Sequence, residues 1–263
     1  MDNLKAALDD LHNGWRRSNL WLTLAWDDAG LRYKRSFLGP LWIIVGMGFY
    51  IAVLAYLWGG LLGRSIDVFL PWLAIGIITW RFISSSITGG AQTFVSAASI
   101  INNIPMPASV HAYRSVMKSL IEYFYELLIV AAVILLFPVS LNLKLLLFIP
   151  GLLIIVASAL GCAILLGFIG ARFRDFGPMI DMLMRPMFFH TPVLWMPDML
   201  HGGRAYLAQL NPFTHYLAIV REPILGRVPT SLAYSVTISI TASLVVASIL
   251  MLSRHRKMLP YWV

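Results

Sequence analysis

The sequence is poor in charge: Asp, Glu, Lys and Arg make up 12% of its 263 residues, while 59% are hydrophobic. An average soluble domain carries about twice that share of charged residues. Apolar runs of about 20 residues, the length of a helix that crosses a bilayer, recur along the chain. The composition therefore excludes an ordinary soluble domain and predicts a single all-α integral membrane domain over residues 1–263.

Cysteine and clustered metal ligands are also scarce. The single cysteine, Cys162, lies inside an apolar run, which excludes an intrachain disulfide and a thiolate metal cluster. The six histidines stand apart, without an HxxxH pair or a neighbouring acidic cluster, so no metal site is predicted.

A phosphate-binding GxxxxGK[ST] motif is missing as well. The chain is therefore expected to hold no cofactor, and any ATP hydrolysis, with its ATP and Mg, is assigned to a separate subunit. The opening residues, which include Asp2, Asp9 and Asp10, do not resemble a cleavable signal peptide, so the first span is expected to direct insertion.

Six apolar segments are predicted to span the membrane, at residues 41–61, 68–89, 115–137, 145–170, 178–196 and 230–252. The fifth contains Pro186 and Pro192, which favour a bent or re-entrant helix. The predicted organisation is an N-terminal region at 1–38, spans one to five within 39–196, an external gating segment at 197–229, span six and a tail at 253–263. Short external helices are expected in 197–229, where Asn211 and Pro212 suit a helix start.

Residues 15–38 mix tryptophans with Asp, Lys and Arg, a pattern typical of an amphipathic helix in the membrane interface. A solvated leader is the alternative. Thirteen Lys and Arg residues fall on the side of the two termini and five on the other side, which predicts that both termini are cytoplasmic. The net charge of +8 is scattered in short clusters, so nucleic-acid binding is not predicted.

Charges inside or beside the spans are the first candidate functional residues, because a charge at membrane depth must be paired or face water. Arg114, Lys118, Glu122 and Glu126 repeat every four residues, which predicts an intrahelical ladder from Arg114 to Glu122. Arg81 and Glu126 lie about 12 and 16 Å from the inner ends of their spans. Arg81 is therefore predicted to pair with Glu122 or Glu126. Asp181 and Arg185 are predicted to form an intrahelical pair.

Aromatic residues near the span ends have two interpretations. They could form the ordinary interfacial belt, or some could face inward and stack on sugar rings. The candidate channel aromatics are Tyr50, Trp58, Trp72, Phe188, Phe189 and Trp195.

Several segments resemble, in order and spacing, the motifs of type 2 ABC permeases that export polysaccharides. They are LRYKRSFLGPLW at 31–42, ARFRDFGP at 171–178, FFHTPVLW at 188–195, Asn211-Pro212 and REPILG at 221–226. Before LRYKR, this chain has Asp27, Asp28 and Gly30, where that family often has a basic-acidic pair and a basic residue.

The resemblance implies a homodimer in the bacterial inner membrane, working with two ATPase subunits on an undecaprenyl-diphosphate-linked polysaccharide. O-antigen is the preferred substrate, and capsule, teichoic acid or a small lipid or drug are the alternatives. It also implies ATPase coupling through Ile100, Asn102, Asn103, Arg172, Arg174 and Asp175, and external gating helices within 197–226.

Arg32, Lys34 and Arg35 are predicted to dock the diphosphate headgroup near the membrane surface. An ion channel is one rival function. A membrane acyl- or glycosyltransferase is another, but it needs an acidic pair or a His-Asp site, whereas the external segment offers Asp198 and Glu222 far apart in sequence. The chain is therefore expected to be a transport subunit and not an enzyme.

Overall fold

The computed structural model describes residues 2–31, 36–37, 39, 41–139, 142–199 and 203–263. Over these residues all the regular secondary structure is helical, with twelve α-helices and three short 3-10 segments. The helices are α1 (Asp2–Arg16), α2 (Ser18–Leu31), α3 (Leu41–Leu61), α4 (Ile66–Gln92), α5 (Ala98–Asn103), α6 (Ser109–Leu136), α7 (Phe148–Arg172), α8 (Phe176–His190), α9 (Gly203–Leu210), α10 (Pro212–Ile224), α11 (Ser231–His255) and α12 (Leu259–Trp262).

Five helical segments in the described part are long and apolar enough to cross a membrane: α3, α4, α6, α7 with the 3-10 turn before it, and α11 with the turns after it. They coincide with five of the six predicted spans. The remaining one, predicted at 178–196, corresponds to α8, whose 15 residues extend about 22 Å, less than the thickness of about 30 Å of a hydrocarbon core.

Helix α8 ends earlier than predicted for a local reason. Thr191 follows it with φ −89° and ψ 142°, an extended conformation. Pro192 disfavours the helical conformation of the residue before it, so the helix stops and residues 191–196 continue as turns.

Helix α4 lies at the centre of the bundle, in contact with α3, α6, α7, α8 and α10. Its crossing with α7 depends on small residues. A Cβ added at Gly170 would collide with the carbonyl of Ala91, and one at Gly90 would lie 3.3 Å from the backbone of Ala163. The absence of side chains at these positions lets the two backbones approach closely, as is common between helices in membranes.

The N-terminal region forms two helices where one was predicted, and residues 32–35 and 38 of that prediction lie outside the described residues. Helix α1 contacts α6 and α11, and α2 contacts α6. The Asp10 carboxylate accepts hydrogen bonds from the backbone N–H groups of Ala108 (3.2 Å) and Ser109 (3.0 Å). A carboxylate from α1 thus satisfies free N–H groups at the start of α6, where the helix dipole favours negative charge.

The predicted ladder from Arg114 to Glu122 is wrong, because these residues form no ion pair with one another in the described part of the chain. The Arg114 guanidinium donates two hydrogen bonds to Asp28 of α2, from Nε at 2.6 Å and Nη2 at 2.8 Å. A two-bond pair to a half-buried carboxylate is stronger than an intrahelical pair at a spacing of four. The acidic residue that departs from the family pattern is therefore part of the contact between α2 and α6.

Candidate functional site

An open groove of about 710 Å³ runs between α3, α4 and α8. The lining combines aromatic and charged side chains, including Tyr50, Trp80, Arg81, Asp181, Arg185 and Phe188. Charged and aromatic groups therefore share one surface built by a spanning helix, the central helix and the short α8.

The aromatic part of the groove is organised around Trp80. Its ring lies 6.1 Å from the ring of Phe188 and 5.4 Å from that of Phe213, edge to face in the second case. Such offset and edge-on contacts are favourable for aromatic pairs. Sequence reasoning missed Trp80 because it considered aromatics near span ends, whereas Trp80 lies deep in α4, and its neighbour Arg81 was the available signal.

The six predicted channel aromatics are divided between the groove and the core. Tyr50 and Phe188 line the groove, and the exposed Phe189 packs edge to face on Phe188 at 5.3 Å. Trp195 donates its indole N–H to the carbonyl of Phe189 at 2.9 Å. The other two do not line the groove: Trp58 packs against the core, and Trp72 is buried in it.

Arg81 connects the groove to the interior of the bundle. Its Nη2 lies 3.0 Å from Oε1 of Glu126, and the side chains are 45% and 2% exposed, respectively. An ion pair with one buried partner thus joins α4 to α6. Glu122, the alternative predicted partner of Arg81, does not take part in an ion pair within the described residues. The guanidinium places a positive charge beside the buried Glu126 carboxylate while remaining accessible from the groove.

Asp181 and Arg185 both line the groove and are exposed. The predicted ion pair between them is not among those that the described part of the chain forms. The prediction of an intrahelical pair is therefore wrong for this structure, in which the two side chains present separate charges to the groove.

A buried arginine connects α10 to the bundle. Arg221 of α10 is 2% exposed, donates from Nη1 to the carbonyl of Pro192 at 2.8 Å, and lies 3.8 Å above the ring of Trp72. The guanidinium also occupies the space that a side chain at position 76 would fill, so a substitution of Gly76 would displace it. Burial lowers the pKa of Arg221 to about 9, which leaves it protonated at neutral pH.

Sequence reasoning treated Arg221 only as part of the REPILG motif. In the structure, it joins α10, α4 and the turn after α8. An arginine within that motif was the available signal, but its burial depends on residues far apart in the chain.

Two further contacts involve residues between α8 and α11. Arg64, between α3 and α4, forms an ion pair with Asp198 at 2.6 Å. Asn211 caps α10 by accepting a hydrogen bond from the N–H of Phe213 at 3.0 Å, and Pro212 follows as the first helical residue. The predicted start of a short helix at this position is confirmed.

The predicted coupling residues lie on two exposed connections at one end of the bundle. Helix α5, which contains Ile100, Asn102 and Asn103, joins the end of α4 to the start of α6 and has no buried residue. Arg172, the last residue of α7, and Arg174 and Asp175 of the turn that follows it are exposed. Helix α12 contacts both α5 and α7, so the two connections are neighbours in space.

The predicted headgroup-docking residues Arg32, Lys34 and Arg35 lie outside the described residues. For metals, the described residues hold no group of three or more His, Cys, Asp or Glu side chains in a suitable arrangement.

Residues 19–225, well over half of the chain, match the family model of the ABC-2 type transporter. The chain therefore belongs to the ABC-2 type transporter family, and it is a multi-pass membrane protein.

Among its relatives is the O-antigen export system permease protein RfbA of Klebsiella pneumoniae, 24% identical over 196 residues, which cover 74% of this chain and 76% of the relative. The protein of the same name from Myxococcus xanthus is 25% identical over 209 residues, which cover 77% of this chain and 80% of the relative.

Proposed function

We propose that this chain is the membrane permease of an ATP-driven exporter that moves lipid-linked O-antigen polysaccharide across the bacterial inner membrane. The observation that carries the proposal is the groove between α3, α4 and α8, which combines aromatic rings with Arg81, Asp181 and Arg185 in a member of the ABC-2 type transporter family. The names of the relatives favour O-antigen over capsule or teichoic acid.

Two copies of the chain are proposed to close the groove into a channel. The groove is open on one side, and α3 beside it buries only one narrow stripe, Met47, Ile51, Ala55 and Gly59, within its own chain. A second copy would cover the opening and part of the exposed apolar surface of α3. In this arrangement, α8 and residues 191–196 form the sixth membrane segment, and both termini are cytoplasmic.

The groove suits a polysaccharide because the faces of its rings offer apolar surface to sugar C–H groups. Such contacts need no fixed hydrogen-bond geometry, which allows successive sugars to slide. We assign docking of the substrate's undecaprenyl diphosphate to Arg32, Lys34 and Arg35, because guanidinium and ammonium groups form charge-assisted hydrogen bonds with phosphate oxygens.

ATP hydrolysis is proposed to occur in two separate ATPase subunits, which bind ATP and Mg. Contact with them is assigned to Ile100, Asn102 and Asn103 of α5, to Arg172 at the end of α7, and to Arg174 and Asp175 of the turn after it. The exposure of both connections at the same end of the bundle supports this assignment.

The proposal is tested with the permease and its ATPase reconstituted in vesicles that contain lipid-linked oligosaccharide. The double variant Tyr50→Ala with Phe188→Ala is expected to reduce ATP-dependent translocation about tenfold, equivalent to about 1.4 kcal/mol, while the basal ATPase rate is kept. Phe124→Ala removes an exposed aromatic of α6 and is the matched control. Wild-type translocation by the groove variant would contradict the proposed path.

Docking is tested separately with Arg32→Ala combined with Arg35→Ala. We expect weaker stimulation of the ATPase by substrate and slower translocation, because two cations that contact phosphate are lost. Unchanged stimulation and translocation would remove the docking role without affecting the assignment of the groove.

A further inference from the structure

Residues 255–263, here called the tail segment, fold back onto the end of the bundle that carries α5. The segment contains a 3-10 turn at Arg256–Met258 followed by α12. Leu259 is buried in an apolar cluster with Ala108, Ala112 and Phe168, and Ile101 of α5 packs against the same cluster. The tail segment is therefore an integral part of the packed structure.

Side-chain contacts join the tail segment to the neighbouring elements. The Arg172 guanidinium lies 5.5 Å from the centre of the Trp262 ring, which also packs on His255 at 5.4 Å. Arg256 donates from Nη1 to the carbonyl of Ala6 in α1 at 2.6 Å. Since α12 also contacts α5, the tail segment bridges α1, α5 and the turn that begins at Arg172.

A cleft of about 480 Å³ lies between the tail segment and α5. Asn102 and Asn103 line one side, and Arg256 and Lys257 line the other. The carboxylate of Asp10, which also lines the cleft, is occupied by the N–H groups at the start of α6. Lys257 is exposed and has no carboxylate within 4.0 Å among the described residues, so the cleft presents a free positive charge.

We propose that the tail segment and α5 form one docking surface for the ATPase subunit, and that an acidic side chain of that subunit enters the cleft and pairs with Lys257. This inference rests on the proposed function, which supplies the ATPase partner. The occupant follows from position and charge: the cleft is continuous with α5, and its free charge is positive. An acidic partner side chain in the cleft forms a charge-assisted hydrogen bond with the ammonium group.

The contact between Arg172 and Trp262 also links the docking surface to the end of α7. The stacking of Arg172 on Trp262 holds the turn after α7 against the tail segment, and α12 holds the tail segment against α5. A movement of the ATPase subunit at the cleft is therefore transmitted to α4, α6 and α7 together, because their ends meet here.

The test measures the affinity of the purified ATPase subunit for the full-length permease in detergent without acidic lipid. Lys257→Glu is expected to weaken binding about tenfold, because it places like charges opposite each other. Arg254→Glu makes the same charge change on an exposed residue that does not line the cleft, and is expected to change the affinity less than about twofold. Equal effects of the two variants would overturn the proposal, since they would report net charge alone.

A photo-crosslinking residue at position 257 identifies the occupant. Crosslinks to an acidic segment of the ATPase, with none from position 254, are the expected result. Crosslinks to lipid alone in nanodiscs containing phosphatidylglycerol would assign the cleft to headgroups and overturn the proposal. If Asn102→Lys weakens ATPase binding and Lys257→Glu does not, the tail segment is not part of the docking surface and the further inference fails. The proposed function is unaffected by that result. Failure of the wild-type permease to bind any ATPase would instead contradict the proposed function.

Discussion

Helices α3 and α4 are consecutive apolar spans with opposite surroundings. In the most apolar window of α4, 78% of the residues are buried within the chain, whereas in that of α3 the share is 22%. Helix α4 packs on five other helices and α3 on two, α4 and α6. Two helices of similar hydropathy thus occupy different places: α4 lies at the centre of the bundle and α3 at its edge.

The polar content of the two helices follows from this difference. Residues 41–61 contain no charged side chain, as expected for a helix that faces lipid or another apolar surface. Helix α4 carries Arg81 and the buried Thr79 and Ser86, because protein surrounds it. Of these two helices, the one that carries polar residues within its span is the one that lies inside the bundle.

The largest expected effect concerns the ion pair of α4. Arg81→Met leaves the Glu126 carboxylate buried without a partner, which is expected to cost about 3 kcal/mol. A lower midpoint of thermal unfolding in detergent is the measurement. Arg185→Met, which removes an unpaired groove arginine, is the control and should change the midpoint much less.

The reciprocal variants sharpen this prediction. Arg81→Glu combined with Glu126→Arg should be more stable than either single reversal, and Arg81→Met combined with Glu126→Leu should recover much of the loss. If the double reversal is no more stable than the single changes, the pair does not connect α4 to α6.

An intermediate effect is expected from matched glycine substitutions. Gly90→Leu places a side chain against the backbone of Ala163 and should cost about 1 to 3 kcal/mol through overpacking. Gly46→Leu on α3 meets nothing within 4 Å in the chain and should leave the unfolding midpoint of the monomer nearly unchanged. Equal destabilisation by the two variants would contradict the difference in packing between α4 and α3 within the chain.

The smallest effect on the stability of the single chain is expected on the outer face of α3. Phe49 and Tyr56 are exposed and lie on the side opposite the buried stripe. Phe49→Ser combined with Tyr56→Ser should change the stability of the monomer by less than about 0.5 kcal/mol but lower the dimer fraction, measured by light scattering in detergent. Leu153→Ser, on an exposed part of α7, should lower neither. An unchanged dimer fraction would place α3 against lipid instead of a second copy.

Local patterns were sufficient to locate most of the helices. Length and apolarity predicted α3 at its observed bounds, and Asn211-Pro212 predicted the start of α10, because spans and caps depend on neighbouring residues. Depth along the helix axis identified Arg81 and Glu126 as candidates for a pair, since axial rise is the same in every α-helix. The end of α8 was predicted too late because the apolar pattern continues to residue 196. Pro192 disfavours a helical conformation at Thr191, and this local effect ends the helix.

A local sequence pattern does not show how one helix is rotated relative to another. The tertiary structure therefore decided which faces of the helices meet. Asp28 rather than Glu122 neutralises Arg114, because α2 folds against α6 and offers a two-bond partner. Trp72 stacks on the buried Arg221 and Trp80 faces the groove, although both belong to α4. The sequence by itself determined a membrane protein and located its five long apolar helices. The tertiary structure decided which side chains meet, because those contacts depend on residues distant in the chain.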